Sequence, residues 1–176
     1  MIVRRALIQV VSVGLLVIAA TAFSGPWAGA TPRRCRTQNL AVDQVRFGSA
    51  GSFHEYLDMA FVNFSPSVCS LTGWPRIQML DAHVRPIPIR ASRSHPGPAA
   101  TIALGTWQRA YFTIHFTDAG PCLPHHRVAQ GVRVAPPGDS GGQIVPERLD
   151  LCALPLPVPI GIDPVRANRG RFPPPF

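Results

Sequence analysis

The sequence predicts an all-β protein, an immunoglobulin-like antiparallel β-sandwich of seven or eight strands stapled by two disulfides. Three observations carry this reading. Apolar residues recur with a period of two, turn signals separate the runs at short intervals, and the chain has four cysteines, Cys35, Cys69, Cys122 and Cys152, behind an N-terminal export signal.

In chain order, residues 1–30 read as a signal peptide. Arg4 and Arg5 form a positive head, and Ala6 to Phe23 is apolar apart from Gln9, Ser12 and Thr21. Pro26 then breaks any helix, and Ala28-Gly29-Ala30 supplies the small residues a signal peptidase needs, so cleavage is expected after Ala30. The rival is an uncleaved anchor. Residues 31–152 form the predicted sandwich, of a size that buries a real core.

The clearest strand is Trp107 to Thr117, where Ala110, Phe112, Ile114 and Phe116 alternate with Arg109, Tyr111, Thr113, His115 and Thr117. One face is apolar and the other polar, as a half-buried strand requires. A second run sets Leu57, Met59 and Phe61 against Asp58, Ala60 and Val62. Weaker strands are read at residues 40–47, 76–80, 86–91, 101–104, 131–135 and 143–151. Pro86 and Pro88 place their segment at an edge or in a loop. Turns are marked by Gly48 to Gly51, Asn63 to Pro66, His95 to Pro98 and Pro136 to Asp139. The last part, 153–176, contains seven prolines and reads as an extended or disordered tail with no sheet partner.

Four cysteines allow three pairings. The sequential one, Cys35 with Cys69 and Cys122 with Cys152, closes loops of 34 and 30 residues and ties each end of the domain to a neighbouring loop. In the chain-entropy account each such loop contributes on the order of 3 to 4 kcal/mol. Zinc ligation is a poor rival, since no two cysteines stand two to four residues apart.

The chain has 17 arginines, no lysine and nine acids. Residues 31–176 keep 15 of those arginines, a net charge of 15 − 9 = +6. Along the sequence the arginines look scattered, which fits a compositional bias, and an unknown extracellular or envelope partner with anionic character is expected rather than nucleic acid. No membrane span is expected after signal cleavage.

Two patterns point to chemistry. Gly138-Asp139-Ser140-Gly141-Gly142 has the letters of a serine-protease nucleophile loop, with His83 as base and Asp118 as its orienting acid in the corresponding hydrolase reading. A chain of this size has no room for a two-barrel protease, and Pro-Pro-Gly-Asp-Ser-Gly-Gly also describes a tight loop between strands. The histidines His83, His95, His115, His125 and His126 form the second, a metal-binding reading; adjacent residues on an extended segment point oppositely, which weighs against His125 and His126 sharing an ion. No catalytic, metal or cofactor residue is assigned, and Cys35, Cys69, Cys122 and Cys152 are the assigned site residues. Asn63-Phe64-Ser65 is read as a loop turned by its asparagine, and Trp74 as a core aromatic.

Cys35-Arg36-Thr37 with Leu40, the run Phe61 to Ser65, Cys69-Ser70-Leu71-Thr72-Gly73-Trp74-Pro75, Leu80-Asp81-Ala82, Thr113 to Cys122, Gly131 to Gly138 and Cys152 together resemble the actinobacterial secreted domain-of-unknown-function 4232 family. The resemblance covers about residues 35–152 and implies an exported or lipid-anchored β-sandwich with no established activity. The proline-rich tail and Phe64 depart from the family pattern.

The expected function is therefore an exported, non-catalytic binding or structural module of the cell envelope.

Overall fold

The computed structural model describes residues 32–168 apart from Ala50, Ser52, Pro96, Leu123, Leu154 and Pro155. The expected signal peptide and its cleavage point lie outside the described residues, as does the end of the chain from 169. Among the described residues eleven strands follow one another: β1 (Arg33–Arg34), β2 (Leu40–Ser49), β3 (His54–Asn63), β4 (Cys69–Thr72), β5 (Arg76–Leu80), β6 (Ile89–Arg93), β7 (Thr101–Leu104), β8 (Arg109–Thr117), β9 (His126–Ala135), β10 (Gln143–Cys152) and β11 (Val158–Ile162). They form a five-stranded sheet in the order β2-β3-β8-β11-β6 and two three-stranded sheets, β10-β9-β5 and β1-β4-β7. Among the described residues no helix is long and apolar enough to cross a membrane.

The period-two pattern builds the core. Leu57, Met59 and Phe61 of β3 and Phe112 and Ile114 of β8 are buried on one face of the five-stranded sheet, with Met59 opposite Phe112 in the register. The Phe61 and Phe112 rings lie 5.0 Å apart. In the same cluster are Ile77 and Met79 of β5, Val132 and Val134 of β9, Leu149 and Leu151 of β10, Leu71 of β4 and Leu104 of β7. Each large apolar side chain so buried contributes about 1.5 to 3 kcal/mol. Disulfides join Cys35 to Cys69 and Cys122 to Cys152, with Cα atoms 4.9 and 5.6 Å apart.

The all-β sandwich thus stands, with more strands than seven or eight, and it is not wholly antiparallel. β1 runs parallel to β4 and β6 runs parallel to β11. β6 begins after Pro88, at the edge of its sheet, where a proline costs no ladder bond. β8 begins at Arg109 rather than Trp107, because Trp107 has φ 61°, a left-handed conformation that no strand contains.

The largest correction concerns the tail. Residues after Cys152 are not wholly an appendage without a ladder: β11 lies inside the five-stranded sheet between β8 and β6. Val158, Ile160 and Ile162 are buried while Pro159 is exposed, so this short segment alternates like any half-buried strand. Its pairing with β8 starts at Ile160, and the missing amide of Pro159 therefore breaks nothing there. Beyond β11 the chain stays attached, with Asp163 N donating to Thr113 O (2.9 Å), Val165 N to Gly73 O (2.9 Å) and Arg166 N to Tyr111 O (2.9 Å).

Candidate functional site

Three arginines that look unremarkable along the chain meet at one end of the sandwich. β1 consists of Arg33 and Arg34, and two residues cannot hold a strand in place by themselves. They are fixed by the disulfide that follows, by Cys35 N donating to Ser70 O (2.9 Å) and by Ser70 Oγ donating to Pro32 O (3.1 Å). Arg36 then turns into a 3-10 turn, Thr37–Asn39. Arg33, Arg34 and Arg36 line a groove of about 680 Å³ with Asn39, Ser65 and Ser67, and no carboxylate lines it. Arg36 reaches Asp139 at 3.9 Å with 61% of its side chain exposed, while Arg33 and Arg34 make no ion pair among the described residues.

The far wall of this groove is the loop between β3 and β4, organised by one buried asparagine. Asn63 Nδ2 donates to Ser67 O and Leu104 O, both at 2.8 Å, and Asn63 Oδ1 accepts from Ser65 N (2.9 Å) and Ser65 Oγ (2.7 Å). Asn63 is fully buried, so it works as the turning residue expected of it. Its own carbonyl accepts from Trp107 N (2.6 Å), and Thr106 Oγ1 donates to Ser65 O (2.9 Å), which joins the β7–β8 turn to the same end.

The Gly138 to Gly142 loop also belongs here, as scaffold. Asp139 Oδ2 accepts from Thr37 N (2.7 Å) and Thr37 Oγ1 (3.1 Å), and Asp139 Oδ1 accepts from Gly141 N (3.2 Å). These bonds, led by the one from the Thr37 amide, hold the carboxyl down to about 2. A Cβ on Gly141 would stand 2.8 Å from Thr37 Oγ1, and Gly138 has φ 75° with Arg34 Nη1 over it, so each glycine is needed for the approach of these two segments. The carbonyl of Ser140 accepts a bond from Arg76 Nη2.

The proposed triad partners are elsewhere. Arg76 pairs with Ala135 beside the loop, whereas His83 follows Leu80 at the opposite end of β5, roughly 13 Å along the strand. Asp118 bridges Leu151 near the far end of β10, roughly 25 Å from the Ser140 end. Ser140, His83 and Asp118 are not brought together.

Nor do the histidines converge on a metal. His83 N donates to Asp81 Oδ1 (2.8 Å) in an exposed turn, and His125 N donates to Cys122 O (2.7 Å) beside the second disulfide. Among the described residues, no group of three or more His, Cys, Asp or Glu side chains is placed to hold an ion. His95 and His115 instead share a carboxylate. His115 Nε2 donates to Asp163 Oδ1 (3.1 Å) and His95 Nδ1 lies 3.4 Å from it.

Asp163 anchors a polar network on the outward face of the five-stranded sheet. Arg166 Nη1 donates to Asp163 Oδ2 (3.2 Å) and Arg166 Nη2 to Thr113 Oγ1 (2.8 Å). Thr113 Oγ1 donates to Asp58 Oδ1 (2.6 Å), and Arg46 pairs with Asp58 at 3.3 Å. Burial pushes the Asp163 carboxyl up, but the His115 hydrogen bond and the charges of His115, Arg166 and His95 outweigh it and hold the group below the usual carboxylate value. A cleft of about 380 Å³ lined by His54, Tyr56, Ser92, His115 and Gly161 opens beside the network. Trp74 packs against the core with its Nε1 donating to Ser94 O (3.2 Å) and the Arg93 guanidinium 4.7 Å over its ring.

A family model described as Domain of unknown function (DUF4232) matches residues 35–159. No curated protein and no solved structure matches the chain.

Proposed function

We infer that this chain, which belongs to the DUF4232 family, is an exported, non-catalytic binding module of the cell envelope, and that the arginine-lined end of its sandwich receives an anionic partner. The observation that carries the reading is the setting of Arg33 and Arg34. Both are exposed, neither is in an ion pair among the described residues, and a disulfide holds them in place. Unpaired guanidiniums on a fixed strand are pre-organised for carboxylate, sulfate or phosphate groups. Export is supported by the Arg4-Arg5 head, the apolar run after it and Ala28-Gly29-Ala30. Two disulfides fit an oxidising compartment outside the cytosol.

The non-catalytic part is supported by the separation of Ser140 from His83 and Asp118, and by Asp139, whose carboxylate is bonded to Thr37. Fluorophosphonate labelling of Ser140, lost in Ser140→Ala, would overturn it. The binding part is tested with dextran sulfate and residues 31–176, a compact unit that holds the core of the described residues and both disulfides. Salt-sensitive binding is expected, weakened by R33Q/R34Q/R36Q and retained by R90Q/R127Q/R148Q, which has the same net charge. Equal weakening in both variants would leave only a general charge effect and sink the site.

A further inference from the structure

Resting on the anionic-partner reading above, we propose that the partner is the surface of an anionic lipid bilayer, and that Trp107 and Phe64 enter its headgroup layer while Arg33, Arg34 and Arg36 meet the lipid phosphates. Trp107 is 72% exposed, Phe64 45% and Val68 52%. All three stand on loops at the arginine end: Phe64 and Val68 flank the groove wall, and the Trp107 amide is bonded to the carbonyl of Asn63, one residue before Phe64.

The Trp107 turn is built to hold its ring out. Gly105 N donates to Gln108 Oε1 (2.9 Å), Gln108 N to Gly105 O (3.1 Å), and Thr106 Oγ1 to Ser65 O (2.9 Å). Every neighbour in the turn is anchored while the indole is left in solvent. Trp107 also keeps φ 61°, a conformation unfavourable for an L-residue with a bulky side chain. The backbone of Trp107 serves the fold through its bond to Asn63 O, but the exposed indole adds nothing to the core.

Charge complementarity selects the occupant. Tryptophan at a water–lipid boundary keeps its N–H wet and its ring in the apolar layer, and arginine stems lie along apolar surface with their heads at phosphates. Apolar rings on projecting loops, beside three guanidiniums of which only Arg36 reaches a carboxylate, that of Asp139 at 3.9 Å, fit a yielding surface of negative charge. A rigid protein partner would need a pocket shaped for the indole. Near such a surface each arginine is worth about fivefold in affinity, so three supply on the order of 100-fold.

Sedimentation of residues 31–176 with phosphatidylglycerol–phosphatidylcholine vesicles tests this, with pure phosphatidylcholine as the control. Partition into the anionic vesicles is expected, with a blue shift of Trp107 emission and quenching by brominated lipid. Trp74, packed on the core, is the other tryptophan of this unit and reports that the fold is intact. Trp107→Asn, which tolerates positive φ, is expected to weaken partition on the order of tenfold or more. R33Q/R34Q/R36Q is expected to weaken it by on the order of 100-fold. Binding to dextran sulfate without vesicle partition would overturn the lipid proposal and leave the anionic reading standing, whereas failure on both would overturn both. Partition unaffected by Trp107→Asn, or tighter binding to a single-stranded oligonucleotide than to vesicles, would also overturn it.

Discussion

Asp139 accepts two hydrogen bonds from Thr37, one from the backbone amide at 2.7 Å and one from the hydroxyl at 3.1 Å, across 102 residues of sequence. The β9–β10 loop is thereby tied to the segment that carries the arginines. Asp139→Ala is expected to cost about 1 to 3 kcal/mol, the range for losing hydrogen bonds to a charged acceptor. The carboxyl is held at about 2 in the folded protein, below the unfolded value near 3.9. Its stabilisation is therefore complete above about pH 5 and fades as the pH falls through the unfolded value toward 2. Urea unfolding of the two proteins at pH 5 and pH 2 checks this: their difference should shrink at the lower pH, and a constant difference would contradict the assignment.

The Asp163 network makes a second acid-sensitive contribution. The folded carboxyl lies below its ordinary value, so the stabilisation is present above the unfolded value and is lost as the pH falls through the folded one. Asp163→Asn is expected to cost about 1.5 to 3 kcal/mol at pH 7, since it leaves Arg166 and His115 with a weaker acceptor. Loosening should concentrate where the chain leaves the sheet. Amide exchange of Val165 and Arg166, which bond to Gly73 and Tyr111, should rise more than that of β3. Uniform acceleration across both would argue against a local clasp.

How far the sequence could be read depended on segment length. Leu57 to Phe61 and Ala110 to Phe116 alternate over enough residues for the buried face to declare itself. β1 and β4 have two and four residues, too few to show a period; β1 is held beside the Cys35–Cys69 bond and β4 by its pairing with β7. β11 was hidden by proline count, since Pro157 and Pro159 mask the alternation of Val158, Ile160 and Ile162. Asp163 was hidden with it. The arginine end was half visible: Arg33, Arg34 and Arg36 crowd Cys35 in sequence, but nothing local reveals that Ser65 and Ser67 face them.

Ending the chain at Ala153 should therefore abolish the fold rather than trim it. Val158, Ile160, Ile162 and Val165 are each no more than 5% exposed, and at about 1.5 to 3 kcal/mol apiece their loss rivals a typical total stability of roughly 5 to 15 kcal/mol. β6 would also lose its strand partner, β11, and β8 one of two, leaving edges open to association. Circular dichroism and gel filtration should show an unfolded or aggregated product. A monomer melting with the full chain would restore the reading of this segment as a passive tail.

The two disulfides should differ in what they protect. Their loops of 34 and 30 residues contribute comparable stabilisation, on the order of 3 to 4 kcal/mol each in the chain-entropy account, so either double serine variant should lower the melting temperature by a similar amount. Only Cys35 and Cys69 hold the arginine strand. β1 pairs only through Arg33 with Cys69 and Arg34 with Ser70, and the bonds of Cys35 N, Ser70 Oγ and Thr37 beside it are few, so the strand is expected to loosen once the covalent link is gone. Dextran sulfate binding should therefore fall in C35S/C69S about as far as in R33Q/R34Q/R36Q and survive in C122S/C152S, measured below both melting transitions. Equal binding by the two double variants would mean that the arginines need no fixed strand, and would remove the pre-organisation on which the anionic site rests.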